Sequence, residues 1–247
     1  MGVIATLLEA CRQRGRTPLR DLRTTVEAIL WRHRTGAPWR SIPPQLGSSR
    51  RAAQTFIRWA HLGVWDKLLA KAQESGIELG MVFLDGTTVR AHQKAAGACA
   101  GRNQNRTKEA LGRSRGVFGT KACVIADSGG RAVAFAVAPG QAHELPQAVP
   151  LLARLPGVPV WVVADRAYSS HALREHIWNI GARPAIPPKV NEATVACPEP
   201  IYNNRNRVER LWARLKEWRA VATRYEKSAA SFLGVLCLAA TADWLRR

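Results

Sequence analysis

Residues 81–86, MVFLDG, and residues 158–168, VPVWVVADRAY, decide the fold of this chain. Each is a short apolar run that reaches an aspartate, Asp85 in the first and Asp165 in the second. Apolar runs without alternation read as strands buried on both faces. Both aspartates are therefore expected where a buried strand stops. A carboxylate there is fixed by a sheet yet open to solvent, which is where ligand chemistry gathers in α/β proteins.

Between these two runs, Thr120–Ala126 and Arg131–Ala138 read as two strands joined at Asp127-Ser-Gly-Gly130, a hairpin signal. A helix is expected over 144–155, before a strand from Val158 to Ala164. Ser169-Ser170 can cap a helix to Ile180, and Ala182–Ile186 is a short strand stopped by Pro187-Pro188. Helices over 202–220 and 228–246 close the chain. Residues 91–118, rich in Gly, Ala, Asn, Arg and Lys, read as a mobile basic loop. The order predicts an α/β fold, a mixed sheet with helices on both faces, as in RNase H-like proteins.

Ahead of this lie three short helices, over 21–35, after Ser48-Ser49, and from about Val64 to Gln73. The middle one is expected to turn Ala53, Phe56, Ile57 and Ala60 inward. It carries Arg50, Arg51 and Arg58, so the unit resembles a helix-turn-helix. An ordinary three-helix bundle with solvated arginines is the plainer reading. The expected division is a helical DNA-binding domain over 1–78 and a catalytic α/β domain over 79–247.

Thirty-seven Lys and Arg against 18 Asp and Glu leave a formal charge of +19, which suggests a polyanionic partner, nucleic acid or an anionic membrane surface. A basic proteome background would give the same excess. The 5 cysteines are widely spaced and lack a C-x-x-C, which argues against a zinc motif or a disulfide framework. Phe232–Ala242 is too short an apolar stretch for a membrane span of about 20 residues. Met1–Leu8 lacks the features of a leader. The expectation is a cytoplasmic, nucleoid-associated protein without a membrane partner.

The helix beginning at Tyr202 adds a third acid. At about 100° per residue, Tyr202, Arg205, Glu209 and Lys216 fall on one polar stripe beside an apolar face of Val208, Leu211, Leu215, Trp218 and Ala222. A solvated Arg–Glu pair explains two of the four but not their alignment with Tyr202 and Lys216. Asp85, Asp165 and Glu209 offer hard oxygen ligands suited to Mg²⁺ or Mn²⁺. Of the 9 tryptophans, Trp212 is the candidate for stacking on a base, and most others fall on apolar faces. His92 and His143 lie near strand ends and are read as surface or structural groups.

The stripe matches the Y-x2-R-x3-E-x6-K signature of bacterial insertion-sequence DDE transposases. LDGTTVRAHQKAAGA (84–98), ALGRSRG (110–116), PGQAHE (139–144), VADRAY (163–168) and RNRVERLWARLKEWRAVATRYEK (205–227) are similar to that family's blocks. RTGAPWRSIP (34–43) resembles the N-terminal part of its insertion-sequence-five group. In one departure, Ser169 stands where an Asp commonly follows the second motif, and both are read as helix caps. The resemblance implies Asp85, Asp165 and Glu209 as catalytic metal ligands for two Mg²⁺ or Mn²⁺. It implies Arg205, Lys216 and Tyr202 as contacts to DNA. It further implies double-stranded element ends and target DNA as partners, and a homodimeric synaptic complex. A non-catalytic DNA-binding copy and a plain nuclease remain as alternatives.

Overall fold

The computed structural model describes residues 2–10, 21–96, 109–114 and 116–246. Among the described residues four helices lead the chain, α1 (Gly2–Ala10), α2 (Leu22–Thr35), α3 (Ser49–His61) and α4 (Val64–Ala72). Asp21 starts α2, its carboxylate accepting from the Thr24 amide at 3.2 Å, and Gly36 ends it with a φ of +70°. Ser48 caps α3 by accepting from the Arg51 amide at 3.3 Å. The buried face of α3 is Ala52, Thr55, Phe56 and Ala60. Ile57, expected inward, is 45% exposed. The reason is that α3 packs between α2 and the last helix, α11 (Ala229–Trp244), which turns its inner face toward Ala52.

The sheet holds β1 (Met81–Ala91), β2 (Gly112–Ser114), β3 (Val117–Ala126), β4 (Ala132–Pro139), β5 (Trp161–Ala164), β6 (Arg183–Ala185) and β7 (Thr223–Arg224). β4, β3 and β1 form an antiparallel meander, and β5 and β6 continue it in parallel. This β4-β3-β1-β5-β6 order is the RNase H-like mixed sheet expected from the sequence.

Its two faces are packed separately. On one, Phe83 and Val124 meet Val208, Leu211 and Leu215 of α9 (Asn206–Lys216) and Phe232 and Val235 of α11. That core continues into the leading helices through Ile29, Phe56 and Trp65, so helical segment and sheet share one apolar interior across residue 79. The contact is tight: a Cβ on Gly234 of α11 would lie 2.7 Å from the Trp65 ring of α4. On the other face, Val82, Leu84, Cys123 and Ile125 pack against α6 (Ala148–Leu152) and α7 (His171–Asn179).

Several expected boundaries move. β1 does not stop at Asp85 but runs on to Ala91, because β3 is long enough to pair with it from Phe83 to Arg90. Val158 and Val160, 57% and 54% exposed, lie before β5 rather than in it. The helix expected over 144–155 is a 3-10 turn followed by the short α6. Residues 202–220 are not one helix: α8 (Glu199–Tyr202), a 3-10 turn, α9 and α10 (Arg219–Ala222) follow each other, with Trp218 extended between the last two. Neither Ser169 nor Ser170 caps α7 through its side chain; Ser169 is held by Glu192 and by Arg174 at 2.7 Å. Within the expected basic loop, α5 (Gln93–Ala96) and β2 are ordered elements, and 97–108 lie outside the described residues.

Candidate active site

Asp85 and Asp165 meet for a topological reason. The parallel ladder of β1 and β5 ends with Leu84 opposite Ala164, and the next residue of each chain segment is an aspartate. Pairing on that edge of β1 resumes only at Arg90, with β7. The stretch from Asp85 to Val89 is left open there, and α9 packs over it. Because strand side chains alternate, Asp85 and Thr87 point to the same face as Phe83 and Val89, toward α9.

Arg205, at the start of α9, enters this opening. Its Nη2 donates to Asp85 Oδ1 at 2.9 Å and lies 3.9 Å from Asp165 Oδ2. Its Nη1 donates to Glu209 Oε1 at 2.7 Å. The three expected acids thus converge on one guanidinium, and Arg205 itself, expected on DNA phosphate, is engaged by them. Asp165 also accepts from the Ala167 amide at 2.9 Å, which fixes its carboxylate beyond the end of β5. At the last residue of α9, Lys216 donates to Thr87 Oγ1 at 2.7 Å.

Burial pushes the Asp85 carboxyl up from 3.8 to about 6. Arg205 opposes this shift, and the charges of Glu144 and Asp165 add to it. Burial also works against the charge on Arg205, but Asp85, Asp165 and Glu209 outweigh it and raise that group. Lys216 is lowered by burial, with Asp85 acting the other way.

Asp85 therefore holds its proton longer in the folded chain than in the unfolded one. Its ionisation weakens the fold as pH rises from about 4 to about 6. Asp85→Asn is accordingly expected to melt higher than the parent at about pH 7.5 in chelator, by about 2–3 kcal/mol. The margin should close near pH 4. Identical thermal melts of the two proteins across that range would contradict this.

The sequence reading passed over a fourth acid. Glu144 pairs with Lys121 at 2.9 Å and lies directly over Gly86. A Cβ on Gly86 would sit 2.5 Å from the Glu144 carboxyl carbon, so the glycine after Asp85 makes room for this carboxylate. Glu144 stands in PGQAHE, but a contact across 58 positions leaves no periodic signal. Tyr202 packs against the core, and among the described residues no hydrogen bond or ion pair joins it to the acids. Trp212 is buried against Phe135, with ring centroids 6.2 Å apart, and offers no open stacking face. His92 is exposed beside Tyr225, and His143 lines a polar cleft with Arg90 and Lys121. Arg50, Arg51 and Arg58 are exposed on α3.

Among the described residues no helix is long and apolar enough to cross a membrane. Residues 79–196 and 162–246 each match a transposase DDE domain, and residues 2–69 match a putative transposase of the IS4/5 family. A putative transposase for insertion sequence element IS6501 from Brucella ovis is 35% identical over 131 residues, covering 51% of this chain and 98% of that protein. An uncharacterized Sinorhizobium fredii protein, y4sN, is 42% identical over 84 residues, 34% of this chain and 66% of that protein. In fold, the chain is similar to piggyBac transposase in its synaptic complex with hairpin DNA, with a TM-score of 0.50 at 10% identity. That match covers 96% of this chain and 69% of the other.

Proposed function

Since the chain belongs to the DDE transposases of insertion sequences, we propose that it cuts DNA at the ends of its element and joins the freed end to target DNA. The observation that carries this reading is the convergence of Asp85, Asp165 and Glu209 on one cation, Arg205, at the mouth of the parallel β1/β5 pair. The donor set fits a divalent metal. It consists of hard oxygens, and a positive charge already sits at its focus. Among the described residues no three acids are yet close enough to chelate one ion together, so loading requires the guanidinium to withdraw.

In this reading Asp85, Asp165 and Glu209 hold Mg²⁺ or Mn²⁺, two per site. When bound, the metal supplies Lewis acidity at phosphorus-bound oxygens and a more acidic attacking water or hydroxyl. Arg205, once freed from the acids, and Lys216 neutralise phosphate charge and hold the strand in register. Tyr202 assists on the same side. Residues 1–78, with Arg50, Arg51 and Arg58, bind the duplex end, and 79–247 perform the chemistry. Two ends must be brought together, which calls for a homodimer on DNA. Mg²⁺ or Mn²⁺ should be required for end cleavage, and excess chelator should stop it. Undiminished cleavage in chelator would overturn the metal-dependent mechanism.

A further inference from the structure

At the far end of β1 from the acids, a cleft of about 860 Å³ opens between the leading helices and β7. Trp39, Tyr225 and His92 form aromatic walls, and Arg40, Lys94 and Lys227 bring positive charge to the same cleft. Ile57, the α3 residue that fails to point inward, also faces it.

The walls are built. Buried Arg32 lies 4.9 Å from the Trp39 ring centre and 5.6 Å from that of Tyr225, and is ion-paired with buried Glu226. Glu226, the one acid lining the cleft among the described residues, is thereby engaged from within. The His92 ring lies 5.3 Å from the Tyr225 ring, tilted by 39°. Gly36 lets the RTGAPW segment close on Tyr225: at φ +70°, a Cβ there would stand 3.2 Å from the tyrosine ring.

Planar apolar walls under a cationic rim suit a ligand that is planar at one end and anionic at the other. The volume is in the range of small-ligand sites, about 300–1,000 Å³. We propose that this cleft binds an unpaired DNA nucleotide, its base stacked among Trp39, Tyr225 and His92 and its phosphates held by Arg40, Lys94 and Lys227. The proposal rests on the DNA-processing reading above and adds a second strand-binding point to it. His92 stands seven residue steps beyond Asp85, just past the end of β1, about 23 Å away at about 3.3 Å per step, which matches about seven nucleotide steps of a strand in duplex geometry. Stacking of one base on aromatic side chains can change affinity by tenfold or more.

The test uses the full chain and a thymidine oligonucleotide of about 12 residues carrying 5-iododeoxyuridine, with a duplex of equal length beside it. Irradiation should place adducts on Trp39, Tyr225 or His92. His92→Ala, and Lys94→Ala with Lys227→Ala, should each weaken single-strand binding about tenfold and leave duplex binding unchanged. These exposed positions avoid the Arg32–Trp39 packing that Trp39→Ala would disturb. Adducts only elsewhere, or variants that bind the single strand like the parent, would overturn the site while leaving the DNA reading intact. Competition by free thymidine monophosphate at the strand's own concentration would make a free nucleotide the occupant and overturn the strand. Failure to bind either DNA would overturn the DNA-processing reading and the site with it.

Discussion

Asp85→Asn, Asp165→Asn and Glu209→Gln should each lower end cleavage by about a thousandfold or more, with DNA binding retained or improved. Each change keeps the shape of the side chain and removes one anionic oxygen. If the three act on one metal pair, combining them should cost little more than any one alone, since groups acting as a unit fail together. Asp85→Asn carries an added signature, because the same change that removes cutting should raise the melting temperature near neutral pH. A group that costs stability where it stands is what an active site is expected to contain. Arg58→Ala should do the reverse of the acid variants: weaker gel-shift affinity with the acids untouched. Near-parental cleavage by Asp165→Asn or Glu209→Gln would mean the acids have been wrongly chosen.

Arg224→Ala should lower the stability of the whole chain by about 3–5 kcal/mol, read as a lower denaturant midpoint. Arg224 is fully buried in β7, where its guanidinium donates to the carbonyls of Glu226 at 3.0 Å, Ala110 at 3.1 Å and Lys227 at 3.1 Å. Nη1 also reaches Thr120 Oγ1, which itself donates to the Ala110 carbonyl at 2.6 Å. One side chain thus ties β7 and the approach to α11 to β3 and to Ala110, a non-glycine residue held at a φ of +50°. Truncation strands these acceptors in the interior, and unsatisfied buried groups cost far more than a lost surface contact. Arg224→Lys should recover little of the loss, because an ammonium lacks the planar fork. A midpoint unchanged in Arg224→Ala would show that the clamp is dispensable.

Local pattern accounts for much of the rest. The runs before Asp85 and Asp165 are strands because they are apolar on both faces, and the hairpin closes at Asp127-Ser-Gly-Gly130 as its turn residues demand. The 100° step that aligned Arg205 with Glu209 is the spacing at which they pair, and it set Val208, Leu211 and Leu215 in the core. Asp21, Gly36 and Ser48 mark helix ends because caps are satisfied by near neighbours in the chain. These features depend on residues a few positions apart, which is why they can be read along the chain.

The remainder depended on which distant segments meet. β1 passes through Asp85 because β3 covers it, while β5 does not, and neither length is written in MVFLDG. Trp212 is core rather than a stacking surface because β4 brings Phe135 against it. Glu144 reaches Gly86, and Arg224 reaches Ala110, across separations that no helical or strand period encodes. Arg205 lies among the acids because the α9 start falls on the unpaired edge of β1, where three negative charges leave it the strongest local partner. Tertiary packing alone decided these, since burial and charge pairing act through space and a sequence records only order along the chain.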